Sequence, residues 1–263
     1  MDSSRRVNTE EIIHTFDGSC EMSEDVRGAM LVLHAQPEQL RSFRPRALAS
    51  AALAAASLSP VDGKLLAAVS KQVADLDGSA LAAFEPADLT ALAWALACAN
   101  HKDVPTMTAI GCQLADRAWE FSPEQLAKTV LAFAELRLAH QAMMATVSME
   151  IMWKIDQFSP RSLAQMAESC ARLDYCKEPL LDWLAARVIG RLDDYSFEDL
   201  AAIIWSFAQA SIRHAVLFDT IAGRVADAWP DLEEGLLVRF TWAFGKLGVS
   251  HPGVMKPLYH PRL

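Results

Sequence analysis

The hydrophobic pattern of the chain repeats with a step of 37 residues. Each copy opens with an aromatic residue or a leucine, and a second leucine follows five positions later. The opening residues are Phe84, Phe121, Phe158, Tyr195 and Leu232. The repeated leucines are Leu89, Leu126, Leu163, Leu200 and Leu237. Self-similarity at a period between about 20 and 50 residues is typical of repeat arrays, so we expect stacked units rather than separate globular cores.

The copy from Phe121 to Gln157 predicts two helices. Ser122 is a natural N-cap, and Pro123 suits the first helical turn. Gln125 stands three residues after Ser122, as in a capping box. A turn is predicted between Leu136 and His140, before the second helix. We therefore predict an all-α fold, in which two-helix repeats form a right-handed α-α superhelix, or solenoid.

The array is predicted to span residues 43–263, with repeats starting near residues 43, 84, 121, 158, 195 and 232. Residues 1–42 form an N-terminal segment, which we interpret as part of an earlier, incomplete repeat. The first copy is four residues longer than the others, and either LSPVDGK or DLDGSA could absorb the difference. The final LYHPRL would end inside a second helix, so both ends look cut through an array.

The charge balance argues against tight, indiscriminate nucleic-acid binding. The chain has 263 residues, a formal net charge of -9 and a pI of about 5.3. Nucleic-acid binders are usually basic, because phosphate contacts supply most of their non-specific affinity. An acidic total still allows a local basic stripe. No apolar run reaches the roughly 20 residues of a membrane span, and the acidic N-terminus shows no targeting signal.

The sequence offers no catalytic or cofactor motif. It contains no glycine-rich phosphate loop, nucleophile elbow or paired-carboxylate arrangement, so we predict neither an enzyme nor a small-molecule substrate. Its five cysteines include no C-x-x-C pair, which disfavours a zinc site. His140, His214 and His251 share one repeat position, and we interpret them as residues that begin the second helices. We predict no metal and no cofactor.

Candidate RNA contacts lie on the first helix of each repeat. Positions one before, two after and nine after the repeated leucine vary between copies and fall on one helical face. The predicted RNA-binding residues are Gln125, Lys128, Gln165, Arg172, Gln209, Arg239 and Lys246. Small residues six positions after the leucine would let a strand approach, and the polar groups could read about one base per repeat. The alternative is a face that is simply solvated.

Two further periodic features have two interpretations each. Arg117, Lys154 and Arg191 share a position late in the second helix, where they would contact phosphates or stabilise helix C-termini. Trp94, Trp205 and Trp242 share a position in the first helix. We expect these tryptophans to pack in the core between repeats, with base stacking as the alternative if they face the groove.

The segments FEPADLTALAWALACAN, FSPEQLAKTVLAFAELRL and YSFEDLAAIIWSFAQASI resemble the first helix of octotricopeptide-type repeats. The repeat length is similar to that of the heptatricopeptide variety. Related arrays occur beside FAST-kinase-like and RAP-type domains, and in the mitochondrial RNA-editing substrate-binding complex. The resemblance covers roughly Phe43 to Leu258, and no RAP-type domain is visible in the chain.

The resemblance implies an adaptor that binds single-stranded organellar RNA and acts in its processing, stability, editing or translation. It implies the mitochondrial matrix as the location, with the plastid as the alternative. A rival hypothesis is a protein–protein interaction scaffold, a subunit of an organellar ribonucleoprotein without direct RNA readout. The acidic balance favours the scaffold, whereas the variable polar stripe and the resemblance favour RNA binding.

Overall fold

The computed structural model describes residues 37–58 and 60–249, except for the side chains of residues 37–39 and 230. All regular elements in these two ranges are helices, and neither range contains a strand. This confirms the predicted all-α class. Most of the predicted N-terminal segment lies outside the described residues, as do His251 and the LYHPRL end.

The first helices of successive repeats begin at regular intervals along the chain. They are α1 (Pro45–Ser57), α4 (Pro86–Cys98), α6 (Pro123–Glu135), α8 (Pro160–Arg172), α10 (Phe197–Gln209) and α12 (Glu234–Lys246). From α4 onward, each of these helices starts 37 residues after the one before it.

The second helices are α2 (Gly63–Ala74), α5 (Val104–Arg117), α7 (Gln141–Lys154), α9 (Glu178–Gly190) and α11 (Ala215–Ala228). From α5 onward, the second helices follow the same step. A single 3-10 turn follows each of the last four, at Ala118–Glu120, Ile155–Gln157, Leu192–Asp194 and Trp229–Asp231. A further 3-10 helix, Pro37–Ser42, precedes α1.

Serine side chains cap the starts of three first helices, α6, α8 and α10. Ser122 caps α6 and accepts a hydrogen bond from the Gln125 amide, while the Ser122 amide donates to Gln125 Oε1 at 2.9 Å. The predicted capping box is therefore present. Ser196 and Asp199 form the corresponding box at α10. These caps satisfy amides that would otherwise lack partners at the helix N-terminus.

The ends of the first helices share one left-handed residue. The residues with positive φ are Asn100, Arg137, Asp174, Ser211 and Gly248. After α6, the Arg137 amide donates to Ala134 O and the Leu138 amide donates to Phe133 O. These two bonds define a Schellman motif, and the other four helix ends repeat them. The motif ends these five first helices at the same repeat position, whereas α1 ends just before the extended residue Leu58.

The four extra residues of the first copy lie after its second helix. The starts of α1 and α2 are separated by the same interval as those of α4 and α5. A short additional helix, α3 (Gly78–Ala82), forms in the DLDGSA segment, and Asp77 caps it. DLDGSA therefore absorbs the insertion, and the alternative placement in LSPVDGK is wrong.

The chain divides into two compact units, Met1–Met143 and Met144–Leu263. In the first unit, α4 packs against α1 and α6, and α2 packs against α5. In the second unit, α10 packs against α8 and α12, and α9 packs against α11. First helices thus stack on first helices and second helices on second helices within each unit. This is the packing order of an α-solenoid, as predicted.

Candidate nucleic-acid interface

One longitudinal face of the first helices carries the variable side chains. Its positions lie two, five and nine residues after the repeated leucine, so they share a face by helical spacing. We call this set the first-helix stripe. In the second unit it comprises Gln165, Glu168, Arg172, Ala202, Trp205, Gln209, Arg239, Trp242 and Lys246. In the first unit it comprises Ala91, Trp94, Cys98, Lys128, Leu131 and Glu135.

The small residues six positions after the repeated leucine do not line this face. Ala95, Ala132, Ser169, Ser206 and Ala243 are all fully buried. The expectation that they form the centre of a groove is wrong. Small side chains at this position let neighbouring first helices pack closely. The centre of the exposed stripe is instead the position one residue earlier, which holds Trp94, Leu131, Glu168, Trp205 and Trp242.

Two arginines in the second unit share one carboxylate. Arg172 Nη2 lies 2.8 Å from Glu168 Oε1 on the same helix, α8. Arg239 Nη2, on α12, lies 3.4 Å from the same oxygen atom. Ala202 occupies on α10 the position that Arg239 occupies on α12, and its small side chain leaves room for this bridge. The stripe is therefore concave where it crosses α8, α10 and α12.

The two tryptophans of the second unit contact each other. The rings of Trp205 and Trp242 are stacked, with centroids 6.3 Å apart and planes inclined by 29°. Lys246 Nζ lies 4.8 Å from the centroid of the Trp242 ring. The same ammonium group donates a hydrogen bond of 2.8 Å to Gln209 Oε1. Two of the predicted RNA-binding residues, Gln209 and Lys246, thus meet beside the aromatic pair.

The first unit contains a similar pair of a cation and an aromatic ring. Lys128 Nζ, on α6, lies 5.2 Å from the centroid of the Trp94 ring on α4. Cys98 is on the same face, one turn beyond Trp94. Burial raises the pKa of its thiol, although the nearby Lys128 partly opposes this effect. The thiol is therefore neutral at physiological pH and adds no charge to the stripe.

The core-packing expectation for the tryptophans is wrong. Trp94 and Trp205 are half-buried at the surface, and Trp242 is 41% exposed. The sequence contained a signal of this exposure, because Glu168 occupies the same repeat position. A position that accepts a glutamate without a buried partner is rarely in the core.

The two remaining glutamines have different surroundings. Gln125 uses its side-chain oxygen in the capping box of α6, so it serves the helix start rather than the stripe. Gln165 is half-buried on the stripe, and its backbone carbonyl accepts a 2.7 Å hydrogen bond from Ser169. The sequence-predicted RNA contacts are therefore divided: Gln125 lies at the helix N-terminus, and the other six lie on the stripe.

The basic residues of the second periodic feature form hydrogen bonds or ion pairs with other groups of the protein. Arg117 donates to the carbonyls of Ala82 and Phe84 at 3.0 and 2.6 Å, and its side chain is 15% exposed. Lys154 pairs with Glu150 at 3.0 Å. Arg191 pairs with Asp194 at 2.5 Å, but its side chain remains 51% exposed. Their predicted phosphate contacts stay a prediction, and Arg191 is the most accessible of the three.

Sequence reasoning missed a further pair of arginines, Arg187 and Arg224. Arg187 donates to the backbone carbonyl of Asp156 at 3.2 Å and pairs with its carboxylate at 3.0 Å. Arg224 donates to the carbonyls of Leu192 and Tyr195. Each arginine thus binds the backbone at the 3-10 turn that precedes the first helix of its own repeat, and so holds that turn in place. The two arginines are separated by one repeat length, and this periodicity in the sequence could have identified them.

His140 and His214 stand at the starts of second helices, as interpreted from the sequence. His140 Nδ1 accepts a 3.1 Å hydrogen bond from the Met143 amide, and His214 Nδ1 accepts a 3.2 Å bond from the Leu217 amide. Among the side chains that the structure describes, no group of three histidines, cysteines, aspartates or glutamates could hold a metal ion.

A different kind of surface lies on the second helices. Several large apolar side chains there are exposed, including Met149 and Trp153 on α7 and Trp183 on α9. Trp153 is 80% exposed, the most of any exposed large apolar side chain in the described ranges. Within the described part of the chain, no helix combines the length and apolarity that crossing a membrane requires.

Comparison with known proteins places the chain in a family. No curated protein matches it. The sequence profile of the RNA-editing substrate-binding complex 6 proteins, abbreviated RESC6, matches residues 47–256. The match extends over α1 to α12 and thus over both units and the whole first-helix stripe. The all-α stack of repeats and this match together show that the chain belongs to the family of RNA-editing substrate-binding complex 6 proteins.

Proposed function

We propose that the chain is an RNA-binding helical-repeat adaptor that holds single-stranded organellar RNA along the first-helix stripe. The observation that carries this proposal is the composition of the stripe in the second unit. Its nine positions include three cations, two tryptophans and one carboxylate. The whole chain has a net charge of -9, so the stripe differs in sign from the rest of the protein. A local basic surface with aromatic side chains is typical of single-strand binding sites.

The stripe can supply both kinds of contact that single-stranded RNA needs. Arg172, Arg239 and Lys246 provide guanidinium and ammonium groups for phosphates. Gln165 and Gln209 provide amide groups that can donate to and accept from base edges. Each of the three first helices of the second unit contributes at least one of these polar groups, so successive nucleotides would follow the stacked helices of this unit. Arg117, Lys154 and Arg191 would at most add phosphate contacts, since all three have partners within the protein.

The family supports the biological setting of this proposal. The name of the family refers to an RNA-editing substrate-binding complex. We therefore propose that the chain acts in RNA editing as one subunit of a ribonucleoprotein, with protein partners as well as RNA. Because that name refers to RNA editing, we also propose that the chain acts in the mitochondrial matrix, with the plastid as the alternative. The proposed role is binding without chemistry.

A charge-neutralising triple variant tests the proposal. Replacing Lys128, Arg172 and Arg239 by glutamine removes three cations from the stripe. If each contacts one phosphate, the slope of log Kd against log salt concentration becomes shallower by about 2. Binding of a randomised single-stranded RNA pool is measured by fluorescence anisotropy at several salt concentrations, and circular dichroism checks that helicity is retained.

The matched control replaces Lys64, Lys102 and Arg213 by glutamine, since these three residues are exposed and lie off the stripe. It changes the net charge equally. The proposal requires the stripe variant to lose more affinity and more salt dependence than the control. Equal losses would mean that the stripe has no special part in RNA binding. An unchanged affinity in the stripe variant would remove this face as the RNA site.

A scaffold function is the second candidate, and the exposed apolar side chains of the second helices favour it. Met149, Trp153 and Trp183 are 57%, 80% and 54% exposed in the second unit. Exposed apolar side chains of this size commonly mark protein interfaces. If the wild-type chain fails to bind the RNA pool at near-physiological salt, the scaffold becomes the better account of the function.

A further inference from the structure

We infer that Trp205 and Trp242 form a base-stacking subsite, which takes one nucleobase of a single-stranded RNA. This inference rests on the proposed RNA-binding function and assigns it a location. The two rings project from adjacent first helices, α10 and α12. Their centroids are 6.3 Å apart, with 29° between the planes. This arrangement presents aromatic surface at the exposed centre of the stripe rather than in the core.

The exposure of Trp242 is costly unless a partner covers the ring. Burial of a large aromatic side chain is a major source of stability in proteins, yet Trp242 leaves 41% of its surface in water. One exposed apolar side chain, Val238, lies one turn before it on α12, whereas the stripe positions on either side of the ring are cationic. Every nucleobase has a flat face that can stack on such a ring, whatever its sequence.

The charges around Trp242 match the order of groups along a nucleic-acid strand. Arg239 stands three residues before Trp242 on α12, and Lys246 stands four residues after it. The ring therefore has a cation on either side along the same helical face. A strand of RNA presents phosphate, base and phosphate in the same order. An apolar protein segment would bring no anionic group to these two cations.

Lys246 and Gln209 lie where they can contact a nucleotide whose base stacks on the Trp242 ring. The Lys246 ammonium lies 4.8 Å from the Trp242 centroid and donates to Gln209 Oε1 at 2.8 Å. An ammonium group has three hydrogens to donate, so one can stay on Gln209 while another reaches a phosphate. The Gln209 amide nitrogen can donate to an acceptor on the base edge. Both residues lie one turn beyond the aromatic pair.

The stacking subsite is limited to α10 and α12 and does not extend to α8. The next first helix of the unit, α8, has Glu168 at the corresponding position, and that carboxylate pairs with Arg172 and Arg239. A carboxylate offers no stacking surface and repels phosphate. We therefore assign stacking in this unit to the repeats that begin at Tyr195 and Leu232, and not to the repeat that begins at Phe158.

Two single variants test the subsite. Trp205→Leu and Trp242→Leu keep apolar side chains on the helices but remove the aromatic faces. Each should weaken binding of a random 15-nucleotide single-stranded RNA by about 10-fold. The slope of log Kd against log salt concentration should not change, because no charge is removed. Trp183→Leu is the control, since Trp183 is also exposed but lies on a second helix.

The same RNA with abasic sites separates stacking from electrostatic binding. Wild-type protein should bind the abasic strand more weakly than the normal strand, and Trp242→Leu should distinguish the two strands clearly less than wild-type protein does. Thermal melting of each variant checks that the fold persists. For a variant that melts early, the wild-type protein provides the second measurement: saturating RNA should quench its tryptophan fluorescence, and the abasic strand at saturation should quench it less.

The outcomes distinguish this inference from the function on which it rests. If wild-type protein binds no RNA, the proposed function fails and the subsite fails with it. If wild-type protein binds RNA but both tryptophan variants bind equally well, RNA binding stands and the stacking subsite is overturned. Loss of affinity accompanied by a shallower salt slope would also overturn it, because the effect would then be electrostatic.

Discussion

Arg239 on α12 approaches Glu168 on α8 to within 3.4 Å, although 71 residues and the whole of α10 lie between them. Side chains of the outer two helices meet in this way only if the stripe bends toward them. The carboxylate also binds Arg172 at 2.8 Å. Glu168 thus holds two of the proposed RNA-binding cations in place and competes with any phosphate that would bind them.

Replacing Glu168 by glutamine should strengthen RNA binding. The variant keeps the shape of the side chain but removes the negative charge that the two arginines share. We expect a lower Kd for single-stranded RNA and a salt slope that is steeper by about 0.7 for each arginine that gains a phosphate. Anisotropy titrations at several salt concentrations measure both quantities.

Glu234→Gln is the control for this charge change, because Glu234 lies in the first turn of α12 and outside the stripe. It alters the net charge equally. If the two variants bind RNA with the same affinity, Glu168 has no specific influence on the arginines.

The opening residue of a repeat should contribute strongly to stability. Phe121 is 1% exposed, at the junction of α5 and α6. Phe121→Ala should lower the free energy of unfolding by about 3–5 kcal/mol, because it removes buried apolar surface and leaves a cavity. Urea unfolding followed by circular dichroism measures the change. Phe121→Leu should lose clearly less, and an equal loss in both variants would point to strain rather than to a cavity.

A left-handed residue at a helix end should be improved by glycine. Arg137 is exposed and has a φ of 52°, in the Schellman motif after α6. A side chain in this conformation costs about 1–2 kcal/mol, whereas glycine adopts it freely but loses more entropy on folding. We expect Arg137→Gly to stabilise the protein by about 0.5–1 kcal/mol in urea unfolding. Gly248 has a φ of 62° at the equivalent position, and Gly248→Ala should destabilise the protein.

Two helical glycines should respond to alanine with opposite signs. A Cβ atom on Gly111 would lie 2.7 Å from the His140 ring, which caps α7. Gly111→Ala should therefore destabilise the protein by about 1 kcal/mol, since overpacking outweighs the gain in helix propensity. A Cβ atom on Gly223 would meet no atom within 4 Å. Gly223→Ala should stabilise it by about 0.5–1 kcal/mol. Thermal or urea unfolding of both variants measures the two signs.

The cysteines should differ in reactivity with pH. Burial, and to a lesser extent the nearby Asp174, raises the pKa of Cys176 to about 11. Burial also raises the pKa of Cys170. The thiolate is the reactive form, so alkylation of Cys176 should still accelerate with each pH unit between about 8 and 10. Cys112 is exposed and should react before Cys170 and Cys176. Peptide mass spectrometry after timed iodoacetamide treatment follows each thiol, and early modification of Cys176 at neutral pH would contradict its burial.

Local features of the fold could be predicted from the sequence because they depend on neighbouring residues. Ser122, Pro123 and Gln125 define the start of α6 through bonds within a single turn, and the structure shows the capping box that they predict. The turn from Leu136 to His140 also followed from local pattern, since α6 ends at Glu135 and α7 begins at Gln141.

Whether an individual side chain is buried or exposed was harder to predict, because it depends on contacts between helices. Small residues suit both a groove floor and a close contact between helices, so Ser206 and Ala243 could be assigned to either. The structure buries them between first helices. Tryptophans are large and apolar, which favoured the core for Trp242. Its exposure depends on how α10 and α12 pack, and the contact of Arg239 with Glu168 depends on three helices at once.

The side chains that pack neighbouring helices together and the side chains of the stripe occupy different repeat positions. This separation affects how the sequence of such a protein can change in evolution. Ala132 and Ser169 keep neighbouring helices together, whereas Lys128 and Gln165, on the same two helices, face outward. A substitution at an outward position leaves the buried contacts between neighbouring helices unchanged. Ligand preference can therefore drift one repeat at a time while the array keeps its stability. Related chains with this fold can prefer different ligands without sharing a single residue of the stripe.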